Sequence, residues 1–485
     1  MPLPRPLSLT LLFSGWTGLA GCAGAPAKPD TPPTSDVDSP VLLDPPVEPE
    51  PAALDTPLAA AAPTLVTDAT IMTANGQIWS RGWIRLREGL IDGLGEGDAP
   101  PAAPGERVVD GHGKFVTPGI IDTHSHLGVY ASPGVWAHSD GNEMTNPMTP
   151  GVRAEESFWP QDPGIERAVE GGVTTLEVLP GSGNLMGGLG VILKLHPMRE
   201  AHAMRFPGAK ETLKMACGEN PKRVYGEGKG AMPMSRMGSI YLMRQKWIEA
   251  RRYKLRWDQW RKKAYEMKDG KKVPLNPPDR DVALETLAGV LSGDILPQIH
   301  CYRADEMLVQ LRLAHEFGFH IRSFHHALEA YKIADILARE HVGVSTWADW
   351  WGFKLEAWDG IEQNLALVQK AGGIAIVHTD SPEGVQRMNQ EAAKGQTSGR
   401  AAGIEITDDQ ALRWITANPA WALGIDAKTG TLEKGKMADV VVWDRSPFSV
   451  YSHAEKVFID GHLRYDRLAP ESDRQQPWSD FEVRK

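Results

Sequence analysis

FVTPGIIDTHSH occupies residues 115–126, where an apolar run ends in Asp122, His124 and His126. Side chains two apart in a strand point to the same face, so both imidazoles can hold one cation from the end of a single strand. Imidazole is the commonest ligand of protein-bound metals. Two hydrogen-bonded loop histidines would have the same spacing, and the HxH pair alone does not exclude them.

Several later apolar runs also end in residues that bind metals. These runs end at Glu219, at His300, at His325 and His326, and at His378 and Asp380. Core strands have no packing reason to stop so often on such residues. A parallel barrel has one, because its site lies where the strands meet the loops that follow them. The pattern therefore predicts a metal site at the carboxyl ends of several parallel strands.

The segment PGIIDTHSH resembles the first-strand metal motif of the amidohydrolase superfamily. The resemblance continues through GVTTLEVLPGSGNLMGG, KMACGENPKRVYG, FHHALEAYK, HTDSP and GTLEKGKMADVVVWD, and covers residues 64–470. Within that superfamily the chain is most similar to imidazolonepropionase-like periplasmic amidohydrolases. The resemblance implies a hydrolase that uses a divalent metal, for which we expect one or two Zn²⁺ ions.

The order of apolar and helical stretches indicates an α/β fold. We expect a (β/α)8 TIM barrel over residues 119–427, with a small β-sandwich built from residues 64–118 and 428–470. The predicted barrel strands are 119–124, 173–179, 190–195, 212–218, 295–301, 320–325, 342–347 and 373–379. The third of them could instead be one arm of a hairpin over the active site. Two independent β-segments are the alternative to the sandwich, but each would be too small to be stable alone.

The expected ligands follow from these strand ends. His124 and His126 should hold the first metal, and His300 ends the fifth strand. The sixth strand offers His325 or His326, because strand alternation forbids both side chains from entering the barrel equally. We favour His326, which lies directly before the next helix, so that His325 packs or supports a ligand.

The bridging ligand is open between Lys214 and Glu219. The resemblance implies either a carboxylated lysine or a glutamate on the fourth strand. Glu219 falls at the carboxyl end of its run, where ligands belong, and Lys214 lies roughly 16 Å back at the rise of a strand. We therefore expect Glu219 to bind the metal. The alternative for Glu219 is a carboxylate that starts a helix before Asn220 and Pro221.

Asp380 is the expected catalytic base and a further metal ligand. A divalent cation lowers the pKa of its water towards 7, and a nearby carboxylate can take the proton and pass it to the leaving nitrogen. The segment HTDSP matches the last-strand motif of the superfamily. An aspartate in a strand-end turn before Ser381 and Pro382 is the structural alternative.

The expected substrate is a small molecule with a C–N bond, either an amide or a cyclic amide. Arg223, Arg303, Asn184 and His378 are the candidates for binding it. Either arginine could bind a substrate carboxylate bidentately, or could form a surface ion pair. The alternative substrates are dipeptides and N-acyl amino acids. A surface lipoprotein that binds a ligand without turnover is the alternative of another class.

Two other features line the expected site. The Gly-rich loop at residues 179–188 lets the backbone approach a substrate closely. Trp347, Trp350 and Trp351 follow the seventh strand and could wall an apolar pocket or cap the barrel.

The N-terminus predicts a lipoprotein signal peptide. A single early charge, Arg5, precedes an apolar stretch too short to span a membrane, and residues 19–22 (LAGC) resemble a bacterial lipobox. The resemblance implies removal of residues 1–21 and lipidation of Cys22. Because Ala23 rather than Asp follows, it further implies attachment at the periplasmic face of the outer membrane. An ordinary cleaved secretory signal is the alternative.

Composition sets the remaining expectations. Residues 22–63 are rich in Pro and Ala and should form a disordered tether, and residues 471–485 should form a C-terminal tail.

Cys217 and Cys301 should be buried free thiols, although a disulfide between them is the alternative. The net charge of −10 argues against nucleic-acid binding. The sequence leaves the oligomeric state open, and a homo-oligomer is one alternative.

The segment 241–272 interrupts the barrel pattern. It is basic and helical by composition, and Trp247, Trp257 and Trp260 lie near helical spacing. We favour an insertion that packs its tryptophans on the barrel. A lid, a partner-docking helix and a membrane-surface helix are the alternatives.

Overall fold

Two eight-stranded sheets and one hairpin organise the part of the chain that the computed structural model describes, residues 52–470. The strands are β1 (Thr64–Met72), β2 (Ile78–Arg87), β3 (Leu90–Glu96), β4 (Arg107–Asp110), β5 (Phe115–Pro118), β6 (Ile120–Ser125), β7 (Val173–Val178), β8 (Met186–Lys194), β9 (Thr212–Ala216), β10 (Tyr265–Lys268), β11 (Lys271–Pro274), β12 (Leu296–Cys301), β13 (Ser323–His326), β14 (Gly343–Thr346), β15 (Ile374–Val377), β16 (Val440–Trp443), β17 (Ala454–Ile459) and β18 (His462–Asp466).

The α-helices lie mainly between the strands of the second half. They are α1 (Pro163–Glu170), α2 (Ala201–Met204), α3 (Glu219–Lys222), α4 (Arg236–Lys262), α5 (Val282–Ser292), α6 (Ala304–Phe317), α7 (Ala334–Arg339), α8 (Asn364–Lys370), α9 (Met388–Ala401), α10 (Asp408–Arg413) and α11 (Ala417–Ala422). The predicted signal peptide, Cys22 and the tail at 471–485 lie outside the described residues.

One sheet is a nearly closed barrel with the order β6-β7-β8-β9-β12-β13-β14-β15. Each of the eight predicted barrel strands overlaps one of these. The two edge strands meet at their carboxyl ends. There the backbone N–H of Asp380 donates to the carbonyl of His124 (3.1 Å), and the hydroxyl of Thr379 donates to Asp122 (2.5 Å). The mixed α/β barrel expected from the sequence is therefore present.

The direction of β8 corrects the expectation of eight parallel strands. β8 runs antiparallel to both β7 and β9, whereas the other neighbouring pairs in this sheet are parallel. Only residues 179–185 connect β7 to β8, and parallel neighbours need a crossover of a dozen or more residues. β8 is thus one arm of a hairpin, as the alternative proposed, but the hairpin lies within the barrel wall and not over the active site.

The two ends of the described chain build the other sheet together. Its order is β18-β17-β16-β5-β1-β2-β3, with β4 paired to β1. β5 and β16 join the two ends through an antiparallel ladder, and one apolar core contains Val66 and Ile84 from the first end and Phe458 from the second. The shared sheet agrees with the expectation, whereas its division into two facing layers stays a prediction.

A buried ion pair links this sheet to the barrel. Nζ of Lys194, the last residue of β8, lies 2.9 Å from a carboxylate oxygen of Asp439, and both side chains are buried. Lys194 also pairs with Asp460, which contacts Nε2 of His196 at 2.9 Å. The barrel and the shared sheet are therefore joined by charged groups as well as by apolar contacts.

The insertion agrees with the favoured interpretation. α4 begins after Ser235, whose hydroxyl accepts from the backbone N–H of Gly238 (3.1 Å). Trp247 and Trp257 are buried, and the ring of Trp247 stacks 4.4 Å from that of Phe319. β10 and β11 follow as an exposed hairpin. The tryptophans therefore serve packing, as expected of an amphipathic insertion.

Part of the expected tether is held by the barrel. Residues 52–63 form no helix or strand, but the carboxylate of Asp55 accepts hydrogen bonds from the backbone (2.7 Å) and Nε (2.8 Å) of Arg199. Arg199 follows β8, whose antiparallel course leads to the amino ends of the parallel strands. Asp55 is therefore fixed at the end of the barrel opposite His124. Within the described residues, no helix has both the length and the apolar character that a membrane crossing requires.

Cys217 and Cys301 form a disulfide, with their Cα atoms 5.2 Å apart. The expectation of two free thiols is therefore wrong. Cys217 follows β9 and Cys301 ends β12, and these strands are neighbours in the barrel. Strand pairing brings the two Cα atoms into the range that a disulfide requires.

Candidate metal centre

Four imidazoles and one carboxylate converge at the carboxyl ends of the barrel strands. Asp380 Oδ1 lies 3.3 Å from His126 Nε2 and 3.7 Å from His124 Nε2. Asp380 Oδ2 lies 3.9 Å from His326 Nδ1. His378 completes a second group, in which its ring nitrogen, one of His124 and one of His326 lie within 4.8 Å of one another. The structure thus brings together residues that the sequence analysis proposed as ligands.

His300 adjoins this group. Its ring centroid lies 4.4 Å from that of His326, and its side chain is buried. Asn220 places its side-chain nitrogen 3.5 Å from His300 Nε2. The fifth strand therefore contributes its predicted histidine to the cluster.

The bridging candidates are placed differently from the expectation. Lys214 points into the barrel from β9, with Nζ 3.3 Å from His124 Nε2 and 3.0 Å from the carbonyl oxygen of Pro180. Glu219 instead lies 3.5 Å from Nζ of Lys354 and is partly exposed. The structure therefore brings Lys214, and not Glu219, to the imidazoles.

The turn after β9 explains this difference. β9 ends at Ala216, and Gly218 has a φ of +85°, where a Cβ would also lie 2.7 Å from a carboxylate oxygen of Glu356. The chain therefore leaves the strand direction before Glu219, which begins α3, as the structural alternative anticipated. The long side chain of Lys214 reaches the cluster from within the strand.

Both neighbouring histidines of the sixth strand approach His124. The ring centroids of His325 and His326 lie 4.9 and 4.8 Å from that of His124. Alternation fails here because His326 has a φ of +68°, in the left-handed region. Both nitrogens of His325 contact protein atoms, His124 Nδ1 at 2.8 Å and Gln298 Oε1 at 2.9 Å. These contacts occupy both ring nitrogens of His325 and make it the hydrogen-bond partner of His124. They therefore support His326 as the candidate ligand from this strand.

Burial controls the protonation of the cluster. It lowers the pKa of His126 and of His378 to about 3, with the nearby Lys214 adding to the effect. Burial also raises the pKa of Asp380 to about 7, with Asp122 adding and Lys214 opposing. The pKa of Lys214 falls to about 8 for the same main reason. The imidazoles are therefore neutral, the state in which they bind a cation.

The donor set fits a divalent cation. His300, His326 and His378 each bury an Nδ1 atom for which no hydrogen-bond partner exists among the described residues. Imidazole nitrogens with a carboxylate oxygen are the ligands that Zn²⁺ prefers in catalytic sites. A bound cation would supply the missing partner of these buried nitrogens, which lie beside a carboxylate.

A cavity of about 550 Å³ opens beside the cluster. His378 and Thr379 lie at its inner end, and Trp347 and Trp350 line its wall. The Trp347 ring stacks 4.6 Å from the ring of His326, and its indole N–H donates to the carbonyl of Thr379 (2.9 Å). Two of the three predicted tryptophans therefore wall a cavity that reaches His378 of the cluster.

The other substrate-binding candidates differ in their availability. Arg303 is held by the carboxylate of Asp305 through two hydrogen bonds (2.9 and 3.1 Å). Arg223 is exposed and forms no ion pair within residues 52–470. The amide of Asn184 is buried and bonded to Glu143, Thr149 and Tyr225. Arg223 thus remains free to meet a ligand, whereas Arg303 and Asn184 already have protein partners.

Three residues near the cluster were not proposed from the sequence. The ring of Tyr302 stacks 5.1 Å from that of His326, and Nζ of Lys354 lies 4.2 Å from the ring centroid of Tyr302. Gln298 contacts His325. Strand alternation from His300 could have indicated both Gln298 and Tyr302, because all three share one face of β12 and its extension. Lys354 comes from the long loop after β14 and had no local signal.

Comparisons with known proteins bear on this centre. The model of the amidohydrolase family matches residues 346–465. An amidohydrolase of known structure from Thermotoga maritima MSB8 is 34% identical, covers 83% of this chain and 100% of its own, and superposes with a TM-score of 0.74.

Two curated relatives are similar over most of this chain. The amidohydrolase tasK of Hapsidospora irregularis is 31% identical over 83% of this chain, which spans only 43% of that protein. An imidazolonepropionase of Mesorhizobium japonicum is 24% identical, over 76% of this chain and 87% of its own length.

Proposed function

Because the chain belongs to the amidohydrolase family, we propose that it is a metal-dependent hydrolase that cleaves a C–N bond in a small molecule. The observation that carries the proposal is the position of Asp380, which lies within 4 Å of ring nitrogens of His124, His126 and His326. A carboxylate among neutral imidazoles can serve both a cation and a proton transfer.

The metal, for which we propose one or two Zn²⁺ ions, would be held by His124, His126, His300, His326 and Asp380. We propose Lys214, in carboxylated form, as the bridging ligand in place of Glu219. Its contact with His124 Nε2 supports this choice. When bound, a divalent cation supplies Lewis-acid chemistry, because it lowers the pKa of a water molecule and polarises a carbonyl.

Asp380 moves the proton in this proposal. Its carboxylate takes a proton from the attacking water and returns it to the leaving nitrogen. A pKa raised to about 7 suits both steps near neutral pH. Asp122 supports this geometry because it accepts hydrogen bonds from the backbone N–H groups of His124 (3.0 Å) and Thr379 (3.3 Å), and so ties the two edge strands together.

The side chains beside the cluster and along the cavity support the proposed substrate class. Arg223 and Lys354 place positive charge near Tyr302, and Trp347 offers a flat apolar wall. This combination suits a cyclic amide that carries a carboxylate, as in an imidazolonepropionase-like ring opening. Dipeptides and N-acyl amino acids carry a carboxylate too and form the second candidate class. Asp380, which a ligand-binding lipoprotein would not need, disfavours a role without turnover.

We further propose that the protein is anchored by lipid at Cys22 on the periplasmic face of the outer membrane. The lipobox-like sequence LAGC supports this location. The disulfide between Cys217 and Cys301 supports it too, since disulfides persist mainly in oxidising compartments such as the periplasm.

The test of the proposed reaction is Asp380→Asn in Zn²⁺-loaded protein. We expect kcat to fall by about 10²–10⁴-fold against cyclic amides, dipeptides and N-acyl amino acids, because the proton acceptor is lost. Asp335→Asn, an exposed aspartate in α7, is the matched control and should leave turnover unchanged. Unchanged turnover in Asp380→Asn with retained metal would contradict the mechanism, and no turnover by the wild type on any class would favour the binding role.

A further inference from the structure

A chain of three buried hydrogen bonds runs from a backbone carbonyl to the proposed ligand His124. The side-chain nitrogen of Gln298 donates to the carbonyl oxygen of Ala422 (3.1 Å). Oε1 of Gln298 lies 2.9 Å from His325 Nε2, and His325 Nδ1 lies 2.8 Å from His124 Nδ1. The three side chains are at most 1% exposed. We call Gln298, His325 and His124 the hydrogen-bond chain.

The chemistry of these groups fixes where each proton lies. The carbonyl of Ala422 can only accept, so the amide nitrogen of Gln298 faces it and Oε1 faces His325. Oε1 can only accept as well, so His325 carries its proton on Nε2. A neutral imidazole has one N–H, which leaves His325 Nδ1 as an acceptor. His124 must therefore carry its proton on Nδ1 and leave Nε2 with a free lone pair.

The other end of the chain leads to the same assignment independently. Nζ of Lys214 lies 3.3 Å from His124 Nε2 and 3.0 Å from the carbonyl of Pro180. In the metal-free protein, before Lys214 is carboxylated, its ammonium group only donates, so His124 Nε2 is then the acceptor. The same nitrogen faces Asp380 Oδ1 at 3.7 Å. Both ends therefore place the lone pair on the side of the metal centre.

His126 shows the simpler version of this arrangement. Its Nδ1 lies 2.8 Å from the carbonyl oxygen of Leu179, so Nδ1 carries the proton and Nε2 is free, 3.3 Å from Asp380 Oδ1. No such carbonyl serves His124 Nδ1, whose partner among the described residues is His325. In place of a backbone acceptor, the barrel interior supplies a second imidazole, oriented in turn by Gln298.

We propose that Gln298 and His325 are positioning residues that hold His124 in the Nδ1–H tautomer and thereby direct its Nε2 lone pair to the metal. The inference deepens the proposed function and rests on it only in so far as a metal binds at His124. Mutation of a residue that is hydrogen-bonded to a metal ligand typically lowers metal affinity 10–100-fold, because that residue fixes the tautomer and the ring orientation of the ligand.

The first test reads the tautomer in metal-free protein labelled with ¹⁵N-histidine. The resonances of His124 are assigned by their loss in His124→Gln. We expect the Nδ1–H tautomer in the wild type and in His325→Asn, whose side-chain oxygen can still accept. We expect its loss in His325→Phe, which keeps a ring but no acceptor. An Nε2–H tautomer in the wild type, or no change in His325→Phe, would overturn the proposal.

The second test measures Zn²⁺ affinity by chelator competition. His325→Phe and Gln298→Leu should bind about 10–100-fold more weakly, and His325→Asn should stay near the wild type. Ser345→Ala is the control, because Ser345 is buried on β14 and bonded to Thr123 outside the hydrogen-bond chain. Thermal unfolding of the metal-free proteins shows whether each variant folds, and Gln298→Leu decides the matter if His325→Phe does not.

These two tests separate the inference from the function it deepens. Wild-type affinity in both His325→Phe and Gln298→Leu overturns the positioning role even if the enzyme turns over. A wild type that binds no Zn²⁺ contradicts the proposed function, whereas the tautomer measurement still confirms or overturns the hydrogen-bond chain.

Discussion

Asp380 and His326 reach the cluster through unusual backbone conformations. Their φ angles are +52° and +68°, in the left-handed region that residues other than glycine rarely adopt. Such conformations cost on the order of 1–3 kcal/mol each and persist where the surrounding structure and the function require them. Here each one follows or ends a barrel strand and turns a side chain towards the centre.

The choice between Lys214 and Glu219 can be decided by a matched pair of variants. Lys214→Met should weaken Zn²⁺ binding by more than the roughly 10–100-fold that loss of a residue behind a ligand causes, because it removes a proposed ligand whose Nζ adjoins His124. Glu219→Gln should keep wild-type affinity, because this carboxylate lies beside Lys354 outside the imidazole cluster. Metal content and chelator competition measure both effects. The reverse order of affinities would restore the original expectation for Glu219.

The protonation of Asp380 should make metal binding depend on pH. Its pKa is raised to about 7, so in the metal-free protein the carboxyl holds its proton below pH 7 and loses it above. A cation binds the carboxylate, so binding at pH 6 should release about one proton from this group, and binding at pH 8 far less. Calorimetry in buffers of different ionisation enthalpy measures the release. The difference between the wild type and Asp380→Asn isolates this proton, and an equal release from both would refute the assignment.

At this scale the sequence predicted the residues of the cluster that follow apolar runs and did not predict the one that lies within its strand. His124, His126, His300 and Asp380 were identifiable because each follows an apolar run. A straight strand would place Glu219 at the cluster and Lys214 behind it, whereas the chain turns at Gly218 and the long side chain of Lys214 reaches His124. The hydrogen-bond chain was out of reach, since its order depends on which side chains of different strands face each other inside the barrel.

Among the elements, β8 shows the limit of pattern analysis most clearly. Its sequence MGGLGVILK is buried on both faces except at Val191. A strand buried in this way shows no alternation, so its pattern carries no information about direction. The length of the 179–185 connection carries that information, and it favours an antiparallel neighbour. The positions of all eight barrel strands were predictable, whereas the direction of this one follows only once its start at Met186 fixes the length of the connection.

The disulfide should stabilise the part of the barrel wall that carries Lys214 and His300. It links β9 to β12 across 84 residues of chain, and such a link typically contributes about 2–5 kcal/mol, chiefly by restricting the unfolded state. We expect a reductant to lower the free energy of unfolding of the wild type by this amount. Chemical denaturation with and without the reductant measures it. A variant with Cys217→Ala and Cys301→Ala should show no such response, and a wild type insensitive to reduction would contradict the expectation.

The stability of the whole molecule should depend on the buried ion pair that joins the barrel to the shared sheet. Lys194→Met should lower the free energy of unfolding by about 3–5 kcal/mol, because it leaves the buried carboxylate of Asp439 without its partner. Arg400→Met breaks an exposed pair with Asp408 and should cost less than about 1 kcal/mol. Urea denaturation compares the two variants. Equal losses would mean that the junction does not depend on the buried pair.

Only part of this architecture was accessible from the sequence. Two β-rich ends, each too short to be stable alone, predicted their association, and β5 and β16 are indeed paired. The pairing of Lys194 with Asp439 was not predictable, since it depends on β8 running towards the shared sheet, and the direction of β8 was itself ambiguous.

The contact between Asp55 and Arg199 has a consequence for how substrate arrives. It holds the first described residues at the end of the barrel remote from Asp380. Residues 52–63 therefore leave the cavity walled by Trp347 open to solutes that diffuse through the surrounding fluid.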